Sequence, residues 1–302
     1  MIGGGRDALI GSLHRAAAAA DDRVELVAAA FSSTRAKSRE SGEAIGLPPE
    51  RVYGVYRDMF RREAKLPENE RIDFIAIVTP SNMHYPVTMA ALDAGFHVLC
   101  ESPMTTTVDE AENLERKLEQ TGRLFCLTEH HAGYPMVEQA RDLVADGRLG
   151  TIRRIVVEYP QGWLASRIEA KGQKQAAWRT NPRNAGSSCC MSDVGTHAEN
   201  LASMISGLSL SEVCSDLTTF VNGRMLEDDG SVLLRYDGGA RGVLWASQVA
   251  IGEVQGLNIR IYGDDASLTW QQAEAGKLVI HPLEGEPEVL EDPNPEPDSH
   301  LI

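Results

Sequence analysis

The chain has 302 residues, 42% hydrophobic and 24% charged, the composition of a globular protein long enough for two cores. With 29 Lys and Arg against 44 Asp and Glu, the net charge of −15 argues against nucleic acid or an anionic membrane surface as partner. Five cysteines without a C-x-x-C pair read as reduced thiols, no apolar run reaches the ~20 residues of a membrane span, and the glycines after Met1-Ile2 do not open a signal peptide, so a cytoplasmic protein is expected.

Met1-Ile2 is an apolar stub before Gly3-Gly4-Gly5, and Ser12 to Ala20 is an Ala-rich helix. Val24 to Phe31 reads as a strand buried on both faces, followed by a helix from Arg35 to Ile45. Asp73 to Val78 is a second buried strand, Tyr85 to Ala94 a helix and Phe96 to Cys100 a strand. Thr107 and Glu110 form a capping box opening the next helix, and Leu124 to Thr128 is another strand. Repeated β-α units predict an α/β doubly wound parallel sheet. The second half changes character. A helix starts at Pro135, a long strand runs from Thr151 to Tyr159, and a polar loop from Gln161 to Asn184 leads to a helix from Asp193 to Ile205. Six strand-like runs follow between Val213 and Ile280, with Asp237-Gly238-Gly239 as a hairpin turn, which predicts an α+β domain with a large, mostly antiparallel open sheet. The domains expected are 1–130 and 131–302, with a solvated, poorly ordered acidic tail from about Glu284.

Glycines between a strand and a helix let the backbone approach a pyrophosphate, so Gly3 and Gly5 are candidate cofactor contacts, although the spacing is not G-x-G-x-x-G and the next glycine is Gly11. The second strand ends in Ser32 and Ser33, followed by Arg35, with no acid to bind a ribose 2′-hydroxyl. Hydroxyls and a guanidinium suit a 2′-phosphate, which leans the expected NAD(P) cofactor toward NADP. A solvated first helical turn is the plain alternative.

Thr79-Pro80-Ser81-Asn82-Met83-His84, then Ala94-Gly95-Phe96-His97-Val98 through Glu101-Ser102-Pro103, then Asp193-Val194-Gly195-Thr196-His197, together with Gly263 to Trp270, resemble the Gfo/Idh/MocA oxidoreductases of the glucose–fructose oxidoreductase and inositol dehydrogenase type. The resemblance implies a Rossmann domain, with Thr79, Pro80, Asn82, His84 and Glu101 at the dinucleotide, and a second domain whose open sheet often packs on another subunit, hence a homo-oligomer. It implies oxidation or reduction of one hydroxyl or carbonyl of a sugar or polyol, with His197 as acid/base and Asp193 placing substrate and histidine. A histidine suits that proton transfer because it titrates near neutrality, and residues four apart share a helix face.

Ser102 stands where the family pattern E-K-P has lysine, the first strand is a stub, and the chain ends in an acidic tail rather than a segment returning to the first domain. A non-catalytic dinucleotide- or sugar-binding regulator of the same fold is therefore the alternative to a dehydrogenase. His130, in Glu129-His130-His131 just past a strand end, and Lys174, Trp178 and Arg179 of the polar loop are candidate substrate contacts. Cys189-Cys190 do not have zinc spacing, and no metal is expected.

Overall fold

The computed structural model describes residues 1–6, 8–254 and 256–293. The chain divides into two compact units, Met1–Thr128 and the residues from Glu129 on.

The first unit runs β1 (Ile2–Gly3), α1 (Leu9–Ala20), α2 (Arg35–Ala44), α3 (Tyr56–Glu63), β2 (Phe74–Val78), α4 (His84–Asp93), β3 (His97–Glu101), α5 (Val108–Thr121) and β4 (Phe125–Thr128). Strands β1 to β4 pair in chain order, all parallel. Beyond β1 the sheet continues through parallel bridges from Ile2 to Ala30 and from Ala29 to Val52. The segments thus lie in the order third, second, first, fourth, fifth, sixth, the doubly wound arrangement that binds dinucleotides at its carboxyl ends. Ile75, Ile77, Val98 and Cys100 are buried against Val87, Ala91 and Leu92 of α4 and Leu114 of α5, as helices on a parallel sheet require. The expected strand from Val24 to Phe31 pairs only at Ala29 and Ala30, because the neighbour on one side is two residues long and the other is the single residue Val52. Glu63 of α3, fully buried, holds this edge by accepting from the guanidinium of Arg51 at 2.5 Å and the hydroxyl of Tyr53 at 2.8 Å. Thr107 caps α5, accepting from the Glu110 amide at 3.2 Å.

The second unit contains α6 (Pro135–Ala145), β5 (Arg154–Pro160), α7 (Lys174–Arg179), α8 (Pro182–Ala185), a π-helical turn (Met191–Gly195) and α9 (Thr196–Ser206). Seven further strands follow: β6 (Leu210–Thr218), β7 (Asp229–Tyr236), β8 (Arg241–Ser247), β9 (Asn258–Tyr262), β10 (Ala266–Gln271), β11 (Lys277–Pro282) and β12 (Glu288–Glu291). Their order is β12-β11-β10-β9-β5-β8-β7-β6, antiparallel except for the parallel pair β5–β8. One face buries Ile155, Val157, Leu234, Leu244, Ile259, Leu268 and Trp270 beneath Val137 and Ala140 of α6 and Ala198, Leu201 and Ile205 of α9. The register sets one row across the other face: Cys214, Leu233, Val243, Val156, Arg260, Thr269, Val279 and Val289. Leu233 in that row is 59% exposed. Residues 288–291, expected in a disordered tail, instead form the edge strand β12, because the open edge of β11 offers unpaired backbone groups to a partner. Residues 294–298 of that tail lie outside the described residues.

Candidate active site

In the first unit the turn from β1 to α1 is built by backbone geometry. Gly3 and Gly4 adopt φ of 81° and 70°, and a Cβ on Gly3 would lie 2.6 Å from the Val78 carbonyl oxygen. Gly11, in the first turn of α1, fills the third glycine role despite its late position: its Cβ would lie 2.3 Å from the Gly4 Cα, so helix and turn touch only because both are glycine. The N-cap residue Ala8 supplies no side-chain acceptor and the first turn holds no acid, which leaves the amino end of α1 suited to an anion. Gly5 packs beside Ser41 and Phe31. Ser32, Ser33 and Arg35 lie at the end of the second segment, Ser33 and Arg35 exposed.

At the end of β2, Thr79 lies against Gly3, and its buried Oγ1 has no hydrogen-bond partner among the described residues. Pro80 precedes the turn containing Asn82. His84 is buried, with Nδ1 2.7 Å from the Pro103 carbonyl oxygen and Nε2 2.8 Å from that of Thr79, so it joins the loops after β2 and β3. Burial pushes its pKa down, against the pull of the two carbonyls. Glu101, ending β3, lies 2.5 Å from His14 Nε2 of α1. Ser102 follows it, half-buried.

In the second unit Asp193 and His197 belong to the π-helical turn and the start of α9, not to one regular helix. Glu227 sets the turn: its carboxylate accepts from the Cys189 and Met191 amides at 2.9 and 3.1 Å and from the Ser188 hydroxyl at 2.6 Å. Such widened turns recur where a helix must aim a side chain. Asp193 receives Arg179 Nε at 3.0 Å on both oxygens and Gln248 Nε2 at 2.7 Å. Arg179 in turn stacks on Trp178, 4.2 Å from the ring centroid, and lies 5.7 Å from that of Trp163. His197 Nδ1 is 2.5 Å from Glu129 Oε2. A carboxylate only accepts, so Nδ1 is the nitrogen that donates to Glu129. His130 and His131 surround that ring, with centroids 5.3 and 5.2 Å from His197. Tyr159 ends β5 beside them, its hydroxyl pKa raised by burial and by Asp193.

Of the residues singled out in sequence, Asp193, Arg179 and Trp178 form one contact group, and His197 and His130 another. Lys174 is exposed at the start of α7. Three residues of the site carried no assigned role in the sequence: Gln248 and Glu227 as supports of the Asp193 turn, and Tyr159; Glu129, singled out with His130 and His131 as a stretch that could line a pocket, faces His197 instead. The usable signal for Gln248 is a polar residue just past an apolar strand end.

Among the described residues no helix is long and apolar enough to cross a membrane, and the five cysteines are free. Two family models match the chain. One, described as an oxidoreductase family with an NAD-binding Rossmann fold, covers residues 1–130, and the Gfo/Idh/MocA C-terminal domain covers residues 137–269. The oxidoreductase YfiI of Bacillus subtilis is 33% identical over 290 residues, covering 95% of this chain and 73% of that protein. An inositol dehydrogenase homolog of Azotobacter vinelandii, solved with NAD+, is 38% identical with a TM-score of 0.92, covering 96% of this chain and 75% of that one. Its complex with NADH and myo-inositol superimposes with a TM-score of 0.89 at 36% identity, covering 96% and 74%. On this evidence the chain belongs to the Gfo/Idh/MocA oxidoreductase family, with an NAD-binding Rossmann domain followed by that family's C-terminal domain.

Proposed function

We propose that the protein is an NAD(P)-dependent dehydrogenase acting on a secondary hydroxyl of a cyclic polyol or sugar. The observation that carries the reading is the contact of His197 Nδ1 with Glu129: a neutral imidazole donating Nδ1–H there offers Nε2 as the base for a hydroxyl proton. The resemblance to a protein solved with myo-inositol and NADH supports the substrate class. Gly3, Gly4 and Gly11, the uncapped start of α1 and the orphaned Thr79 hydroxyl fit a dinucleotide, and Gly3, Gly5, Thr79, Pro80, Asn82, His84 and Glu101 are the residues that would hold it. Bound NAD(P) supplies the hydride acceptor.

The chain's own task is then the proton. His197 Nε2 accepts it from the reacting hydroxyl as the carbon is oxidised. The imidazolium that forms is stabilised by Glu129, whose side chain is 14% exposed and so poorly screened. Asp193, charge-compensated by Arg179, accepts a hydrogen bond from a neighbouring hydroxyl and fixes which carbon reacts. Trp178, His130 and Lys174 remain candidate substrate contacts. At the cofactor's ribose end Ser32, Ser33 and Arg35 favour a 2′-phosphate, so NADP should bind at least as well as NAD.

The row from Cys214 to Val289 forms the interface of a homo-oligomer in this reading. Light scattering at micromolar concentration tests it: Leu233→Glu should dissociate the wild-type oligomer, and a monomeric wild type refutes the interface. For the activity, the purified protein is incubated with NAD or NADP and a polyol panel that includes myo-inositol. Appearance of reduced nicotinamide that His197→Ala abolishes supports the reading; no reduction with any polyol by a dinucleotide-binding protein contradicts it.

A further inference from the structure

His130, His131 and His197 each offer one ligand atom, and these atoms lie within 4.8 Å of one another. The ring centroids of His130 and His131 are 3.6 Å apart. His131 is 2% exposed, yet its Nδ1 has no hydrogen-bond partner among the described residues. A buried polar atom left in that state points to a missing partner. The other nitrogens are backed by protein groups: His131 Nε2 lies 3.4 Å from the Tyr159 hydroxyl, and His197 Nδ1 lies 2.5 Å from Glu129. A carboxylate or hydroxyl behind an imidazole is the arrangement that orients metal-binding histidines and leaves the opposite lone pair for the ion.

We infer that His130, His131 through Nδ1 and His197 through Nε2 bind one late first-row divalent cation of the zinc class. Three neutral nitrogen donors suit zinc, cobalt or nickel rather than magnesium or calcium, and three protein ligands leave a fourth position for water or a hydroxyl. Metal–nitrogen bonds of 2.0–2.1 Å in a tetrahedron set the nitrogens about 3.3 Å apart, so the rings must draw together. His130 is the exposed member of the three. Coordination also takes the Nε2 lone pair assigned to the hydroxyl proton, so the cation is an inhibitor; this consequence rests on the proposed dehydrogenase reading.

The test titrates EDTA-stripped full-length protein with Zn2+ by calorimetry and with Co2+ by visible absorption. One equivalent should bind, with d–d bands and no thiolate charge-transfer band. His130→Ala and His131→Asn should abolish binding, and Glu129→Gln should weaken it by about 10- to 100-fold. The double variant Cys126→Ser/Cys214→Ser, which removes the two exposed thiols, should bind as wild type does. Absence of one-to-one binding, affinity unchanged in His130→Ala, or a thiolate band overturns the site. Saturating zinc that leaves turnover unaffected overturns His197 as a ligand. Because binding is read without turnover, a stripped protein that oxidises a polyol but refuses zinc overturns the site alone. One that binds zinc but oxidises nothing contradicts the proposed function alone.

Discussion

Replacing Glu129 by Leu removes the carboxylate that faces His197 Nδ1 at 2.5 Å while keeping similar bulk. A hydrogen bond to a charged group contributes ~1.5–3 kcal/mol net, and a neutral one ~0.5–1.5 kcal/mol. His197 becomes cationic only as it takes the substrate proton, so the charge-assisted part of that stabilisation belongs to the transition state and appears in kcat. The two side chains are 12% and 14% exposed, so water does not readily replace the lost partner. The charged bond exceeds the neutral one by ~1–1.5 kcal/mol, so at ~1.4 kcal/mol per tenfold in rate Glu129→Leu should lower kcat by ~5- to 12-fold. Glu129→Gln keeps a neutral acceptor and should lower it by ~10-fold. Dinucleotide affinity should not change, since the glycine turn and Thr79 are untouched. Initial rates of NAD(P)H formation at saturating polyol give kcat, and thermal unfolding confirms that the variants fold. If His197→Ala is inactive while Glu129→Leu keeps kcat within about twofold of wild type, the argument that Glu129 orients the base is refuted.

Three other outcomes are expected. Arg35→Ala should weaken NADP by ~10-fold, the size of one lost charge-assisted bond, and leave NAD unchanged; titration of both cofactors checks it, and an NAD preference that Arg35→Ala does not alter counts against the assignment. Ser102→Lys puts a lysine where the resemblance in sequence expects one and should raise turnover ~10-fold or more without changing cofactor affinity; slower turnover in steady-state kinetics places Ser102 in a different working arrangement. Tyr53, its pKa pushed up to about 12 by burial and by Glu63, keeps its proton where an unfolded tyrosine, near ~10, has lost it. The folded state then binds more protons in that window, so stability falls as pH rises from about 10 to 12. Urea midpoints should fall accordingly, and fall less in Tyr53→Phe.

The features legible in the sequence are those written locally. Phe74–Val78 and His97–Glu101 are short apolar runs between helical stretches, and a strand buried by helices on both faces has to look that way. The Thr107–Glu110 cap, the Asp237–Gly239 turn and the spaced motifs around Thr79, Glu101 and Asp193 also depend on near neighbours. What the sequence did not disclose depends on partners far along the chain. Glu129 and His197 are separated by 68 positions, and Asp193 and Gln248 by 55. Asp193 to His197 reads as one regular helix because the π-helical turn is imposed by Glu227, whose partners Cys189 and Met191 lie 38 and 36 positions earlier. The pairing of Val52 and of β12 was hidden for the same reason: a single bridging residue and a four-residue edge strand carry almost no pattern of their own. His130 and His131 are adjacent, with the third imidazole delivered by α9, so no ligand spacing marks the cluster in sequence.

The most direct measurement follows the hydrogen itself. Wild-type protein is given the oxidised dinucleotide and a polyol deuterated at its hydroxyl-bearing carbons, and the reduced nicotinamide is analysed by mass spectrometry beside that made by His197→Ala. The account predicts one deuterium per reduced nicotinamide, a rate slowed by the label, and almost no product from the variant. Reduced nicotinamide without deuterium, or equal yields from wild type and His197→Ala, would contradict it.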